Sequence, residues 1–168
     1  ADHRHVVERG IGDVAEIANL DMTGLAQKGG AVHSHLRIAS DTSSVMAARI
    51  GNAEADLLLG CDLVASAAVD SFRTVDPAST YVLGNSRIAP TASFTKDPNV
   101  SFDSSPLIDQ IRALVGDERC DFVDATHLAS SLTGNSLATN MFMVGVASQK
   151  GLLPIGTEAI NRAIELNG

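Results

Sequence analysis

The chain has few residues of several kinds: two cysteines, one tyrosine, no tryptophan, and 12 lysines and arginines among 168 residues. Each shortage excludes something. Cys61 and Cys120 lie far apart and lack the clustered spacing of a zinc or iron–sulfur site. Set in apolar runs, they read as buried free thiols rather than a disulfide. Aromatic residues make up only 4%, so a core must rest on Ala, Val, Ile, Leu and Met. The basic residues are scattered through a chain of net charge −8. Without a basic cluster to displace phosphate counterions, nucleic-acid binding is excluded and an anionic membrane surface is disfavoured. No apolar run approaches the roughly 20 residues of a membrane span. Ala1-Asp2-His3-Arg4-His5 contains no apolar signal core, and cytoplasm is the default location.

What is present suits a folded α/β domain. Hydrophobic residues account for 45% and charged residues for 19%, a globular balance for one domain over 1–168. The segment from Asp13 to Leu20 is long enough for two helical turns. Asp21 to Gly30 reads as a polar, glycine-rich loop. From Val32 to Ile38 the pattern alternates, with Val32, Ser34, Leu36 and Ile38 on one side and His33, His35 and Arg37 on the other. That is a strand with one buried face, the histidine side being partly solvated.

The run Leu57 to Val64 is apolar on both faces and reads as one or two buried strands, with a helix beginning between Ala65 and Phe72. Tyr81 to Asn85 and Cys120 to Val123 are further short strands. Thr91 to Pro106 is mostly loop. Pro106 fits the first turn of a helix capped by Ser104 or Ser105 and stopped by Gly116. Asp124 or Thr126 caps a helix carrying Leu128, Ala129 and Leu132, closed by Gly134. Asn135 or Ser136 caps the next, with Leu137, Met141, Val144, Ala147 and Ser148 on one stripe, widened by Phe142 and Val146. Thr157 caps a last helix with Ala159, Ile160, Ala163 and Ile164 on its apolar face. Strands alternating with helices predict a three-layer α/β/α domain with a largely parallel central sheet.

Four segments have chemical potential, each with a structural alternative. In Gly24 to Gly30, glycines would let backbone amides approach a phosphate or carboxylate, and Lys28 adds charge. The phosphate-loop pattern is not matched, and the spacing favours a tight loop or an interface. His33 and His35 at i, i+2 could hold a metal, but no third ligand lies near in sequence. Ser34 points away from both histidines, which disfavours a serine nucleophile. Gly10-Ile11-Gly12, with Ala15 at the third glycine position, is a weak dinucleotide fingerprint without a convincing strand before it. Gly134-Asn135-Ser136 at a helix start could bind an anion, or could simply cap; capping does not account for Asn140.

Several of these segments together resemble one family. Asp21-Met22-Thr23-Gly24-Leu25-Ala26-Gln27-Lys28-Gly29-Gly30-Ala31-Val32-His33-Ser34-His35-Leu36-Arg37-Ile38 is similar to the hallmark of the gamma domain of 2-oxoacid:ferredoxin oxidoreductases. Asp56 to Asp62, Pro90-Thr91, and Asn135 to Gly151 with Leu153-Pro154 resemble later stretches of that domain. The likeness is greatest to the fused indolepyruvate type and covers residues 21–168. Ala163 to Gly168 looks like the point where such a domain leads into a longer polypeptide. The departure is at the start: eight residues separate Gly12 from Asp21, too few for the family's opening helix and second strand. Either the chain is shortened there or residues are missing from it, so a nucleotide-like role for the glycine turn loses its support.

The resemblance implies a whole enzyme that oxidatively decarboxylates a 2-oxoacid to an acyl-coenzyme A and reduces ferredoxin. Thiamine diphosphate and iron–sulfur clusters would sit in other domains or subunits, and this domain would bind no cofactor itself. It would be structural or coenzyme A-proximal and catalytically silent alone. A homodimer stays open. Gly24, Gln27, Lys28, Gly29, Gly30 and Ser34 are the expected ligand- or interface-facing residues, with Asn135 and Asn140 as second choices; no catalytic or metal-binding residue is assigned. The alternative is a freestanding α/β module that binds coenzyme A or a nucleotide.

Overall fold

The computed structural model describes residues 16–23, 32–39, 47–88 and 103–167. Two sheets are present among them. β1 (Glu16–Thr23) and β2 (Val32–Ala39) form an antiparallel pair, in register from Glu16 opposite Ala39 to Thr23 opposite Val32. β3 (Leu57–Gly60), β4 (Tyr81–Asn85) and β5 (Cys120–Val123) form a parallel sheet in that order.

Parallel neighbours need crossover connections. Between β3 and β4 these are α1 (Leu63–Ser66) and α2 (Val69–Thr74); between β4 and β5 it is α3 (Ser105–Val115). All three pack on one face, where Leu63, Val75, Ile111 and Val115 meet Val82 and Cys120. After β5 the chain changes face. α4 (Ala125–Thr133) and α5 (Thr139–Gln149) supply Ala125, Met143 and Ala147 against Leu83 on the opposite side. Along β4, Val82 serves one core and Leu83 the other, as strand alternation requires. The expected α/β/α layering and parallel sheet are therefore present. A last helix, α6 (Thr157–Asn167), follows.

Local chemistry explains most boundaries. Asp62 accepts a hydrogen bond from Ala65 N, so Leu63 and Val64 start a helix rather than continue a strand, correcting the expectation for that run. Asp124 caps α4 by accepting from His127 N, and Gly134 ends it in the left-handed region at φ 74°. At α3 the backbone places Ser104 at the cap, but the side chain that takes an amide there is Asp103, from Ser105 N at 2.9 Å.

Three expectations fail. The Asp13 to Leu20 helix falls partly outside the described residues, and Glu16 to Leu20 are strand. Ala18 and Leu20 line one side of β1, and pairing along β2 overrides any local helical preference. On α5 the buried seam is Thr139, Met143 and Ala147. Leu137 drops off the stripe because it belongs to a 3-10 turn, Ser136–Ala138, and it and Met141 are exposed. On α6 Ile160 is half-buried, while Ala159, Ala163 and Ile164 face outward.

Candidate functional site

In open parallel sheets, ligands bind beyond the carboxyl ends of the strands. Here those ends are Gly60-Cys61-Asp62, Asn85-Ser86-Arg87 and Asp124-Ala125-Thr126. Asn85 joins them. Its amide nitrogen donates to Cys61 O at 3.1 Å and to Thr126 Oγ1 at 2.9 Å. Its oxygen accepts from Ala125 N at 3.2 Å and Arg87 N at 3.3 Å. Both donor hydrogens and both acceptor lone pairs of a buried side chain are thus used internally. The arrangement fixes the strand ends and leaves Asn85 no bond to offer a ligand. Sequence reasoning passed over this residue; the available signal was a polar side chain closing the apolar run Tyr81-Val82-Leu83-Gly84.

At the opposite end of the sheet, Tyr81 Oη donates to Asp121 Oδ2, and Lys150 Nζ lies 2.5 Å from the same oxygen. Lys150 follows α5, so the cluster clips that helix to β4 and β5. Lys150, then Tyr81, hold the Asp121 carboxyl below its ordinary value, and burial with the bond to Asp121 pushes the Tyr81 phenol up. A depressed carboxylate pKa stabilises the fold above the ordinary value near 3.8, and the gain is lost as pH falls through the lowered folded value. Asp121→Asn should therefore lower the thermal midpoint at neutral pH and converge with the parent below that window. Because both charged side chains are about 40% exposed, the difference should be at most about 1 kcal/mol. A pH series of thermal melts checks it. An open, mainly apolar depression of ≈ 440 Å³ runs along α5, lined by Phe142, Gly145, Val146, Gln149 and Lys150. Its one charged group is this same lysine, so it offers no acid–base pair.

The antiparallel pair is the third candidate. Its inner side carries His33, His35 and Arg37, all half-buried. His35 Nδ1 accepts from Ile50 N at 3.0 Å. Arg37 Nη2 donates to Arg49 O at 3.1 Å and Glu54 Oε2 at 2.5 Å, and His33 Nδ1 lies 3.3 Å from Ser71 Oγ. The outer side shows Val32 61% exposed, Leu36 50% and, from β1, Ile17 60%. The expectation of an apolar face in and a histidine face out is reversed. The reason is specific bonding: each basic side chain finds an acceptor or donor on residues 49–71, and the aliphatic side chains have no such anchor.

The expected site residues separate. Gly24, Gln27, Lys28, Gly29 and Gly30 lie outside the described residues, as does Gly10-Ile11-Gly12. Ser34 is on the exposed outer side and donates to Asp21 Oδ1 across the pair at 2.6 Å. Asn135 accepts from Leu137 N; Ala138 N and Thr139 N are bonded to Asn135 O and Ser136 O. The Leu137, Ala138 and Thr139 amides of that turn are thus engaged within the chain. Asn140 stands exposed on the first turn of α5. Cys61 follows β3 in one core while Cys120 opens β5 in the other, so the two thiols do not converge and do not fit an iron–sulfur cluster. Among the described residues no group of three or more His, Cys, Asp or Glu side chains gathers as metal ligands.

The chain matches the family model of pyruvate ferredoxin/flavodoxin oxidoreductase over residues 16–167. It belongs to that family. Searches of curated proteins and of solved structures return no match. Membership in the pyruvate ferredoxin/flavodoxin oxidoreductase family supports a role within a 2-oxoacid ferredoxin oxidoreductase, in association with that enzyme's other domains or subunits. No helix among the described residues is long and apolar enough to cross a membrane.

Proposed function

We propose that this is the gamma-type domain of a cytoplasmic 2-oxoacid ferredoxin oxidoreductase of the indolepyruvate type, and that it acts as a docking domain without catalytic groups of its own. The substrate assignment rests on the sequence resemblance alone. The docking role is supported by one observation: the β1–β2 pair is bonded to the domain through its polar side and presents Ile17, Val32 and Leu36 outward. A ribbon stabilised by apolar burial would face the other way. That outer face would seat another domain or subunit of the enzyme. Gly24, Gln27, Lys28, Gly29 and Gly30, which join the two strands, would face that partner or a coenzyme A phosphate, with Ser34 beside it. Asn135 and Asn140 are secondary candidates. Thiamine diphosphate and the iron–sulfur clusters would be held elsewhere in the enzyme, which passes electrons to ferredoxin.

The test is assembly. Leu36→Asp, made in the chain produced together with the rest of its oxidoreductase, should cut co-purification by more than about tenfold, the equivalent of 1.4 kcal/mol. The same change in the isolated chain should move stability by no more than about 0.5 kcal/mol, as expected at an exposed site. Undiminished assembly would remove the docking role. Turnover of indolepyruvate by the isolated chain, given coenzyme A, thiamine diphosphate and an electron acceptor, would overturn the claim that it lacks catalytic groups.

A further inference from the structure

The inner side of the β1–β2 pair poses a separate question, because its contacts depend on a protonation state. Along β2, His33, His35 and Arg37 reach residues from two different segments below. His33 meets Ser71 in α2, while His35 and Arg37 meet the loop at Arg49, Ile50 and Glu54. Among the described residues, the charged and titratable groups around His35 are His33 and Arg37 on its own strand and Arg49 on the loop, with Glu54 linked through Arg37. From β1 its directly opposed residue is Leu20, which is uncharged.

The bond from Ile50 N to His35 Nδ1 requires that nitrogen to be without a proton. Protonation would convert the acceptor into a donor facing an N–H and place a new cation near two guanidinium groups. We propose that His35 is a proton-sensitive latch, which holds the β1–β2 pair against the loop 47–54 while neutral and releases it when protonated. The pKa of His35 supports this. Burial of the ring, then Arg49, His33 and Arg37, hold it below the ordinary value of 6.5.

The sign follows from linkage. The released imidazole binds a proton more tightly than the docked one, so acid favours release. Docking is at full strength above about pH 6.5, weakens as pH falls toward the lowered docked value, and levels off below it. Glu54 does not titrate in this window. Its bonds from Gly51 N and Arg37 hold its pKa below the ordinary 4.5, so the Arg37–Glu54 pair stays charged throughout.

Backbone hydrogen exchange on the full chain between pH 7.5 and 5 reads the latch, with rates corrected for the intrinsic pH dependence. Protection of the amides in β1 and β2 should fall about three- to tenfold, while β4 amides, which serve as the internal reference, hold theirs. His35→Asn places an amide oxygen near the position of Nδ1 and has no proton to gain in this range. Its β1–β2 protection should stay flat with pH. A flat profile in the parent chain would overturn the proposal. So would a His35→Asn profile that falls as steeply as the parent's, because the proton would then act elsewhere.

Discussion

Asn85→Ala should cost the domain about 3 kcal/mol, the largest loss expected from a single side-chain truncation at the strand ends. The arithmetic is one of stranded groups rather than lost contacts. The native side chain makes four hydrogen bonds, to Cys61 O, Thr126 Oγ1, Ala125 N and Arg87 N. Ala125 is fully buried, so its amide loses a partner with no water to replace it. Cys61 O and the Thr126 hydroxyl are left in a half-buried setting. One unsatisfied buried group costs about 1–3 kcal/mol, and the partly exposed ones recover some solvation. For a chain of this length, 3 kcal/mol corresponds to a fall of roughly 6–12 °C in thermal midpoint. Denaturant unfolding should show a lower midpoint with an unchanged slope, because the surface exposed on unfolding is the same. A loss below about 1 kcal/mol would mean that water enters and satisfies the site.

The contrast between Asn85 and the β1–β2 pair shows what the amino-acid pattern conveys. Tyr81 to Asn85, Cys120 to Val123 and the helices from Ser105 to Val115 and from Ala125 to Thr133 follow directly from short apolar runs, caps and glycine stops. These are local signals, written within a few residues of the element they define. The orientation of β2 is not local. Its alternation is plain, but which side turns inward is decided by Ile50 N, Arg49 O, Glu54 and Ser71, 12 to 38 residues away. The same holds for β1, whose strand character depends on a partner across a connection and becomes visible only when Ile17 to Met22 are read as one alternating run. Of the expected site, the Gly24 to Gly30 segment was legible as unusual through its composition, and the flanking strands give it a context as the join between them. Asn85 was illegible for the opposite reason: a lone asparagine at a strand end is common, and only the convergence of three strand ends makes it structural.

Gly60→Ala should destabilise the domain by about 3 kcal/mol, at the upper end of what an added methyl costs in a packed site. Gly60 ends β3 buried, directly beneath α1. A Cβ there would collide with Ser66 Oγ and come within 3.0 Å of Ser66 Cβ. Ser66 cannot step aside cheaply, because it is buried on α1 and its hydroxyl donates to Asp62 O at 2.5 Å. Strand and helix therefore approach closely only because residue 60 has no side chain. The companion change Ser66→Gly removes the obstacle at the expense of a glycine in a helix, roughly 1 kcal/mol. The double variant should then be more stable than the sum of the two single losses by at least about 1 kcal/mol. Gly145→Ala supplies the opposite control. It adds the same methyl in the interior of α5, where nothing lies within 4 Å of the new Cβ. There the gain in helix propensity should stabilise by about 0.5–1 kcal/mol. Shifts of opposite sign from one chemical change would separate close approach from backbone entropy. A Gly60→Ala variant as stable as its parent would mean that α1 can move away from β3, and the packing of Leu63 beside Val82 would have to loosen with it.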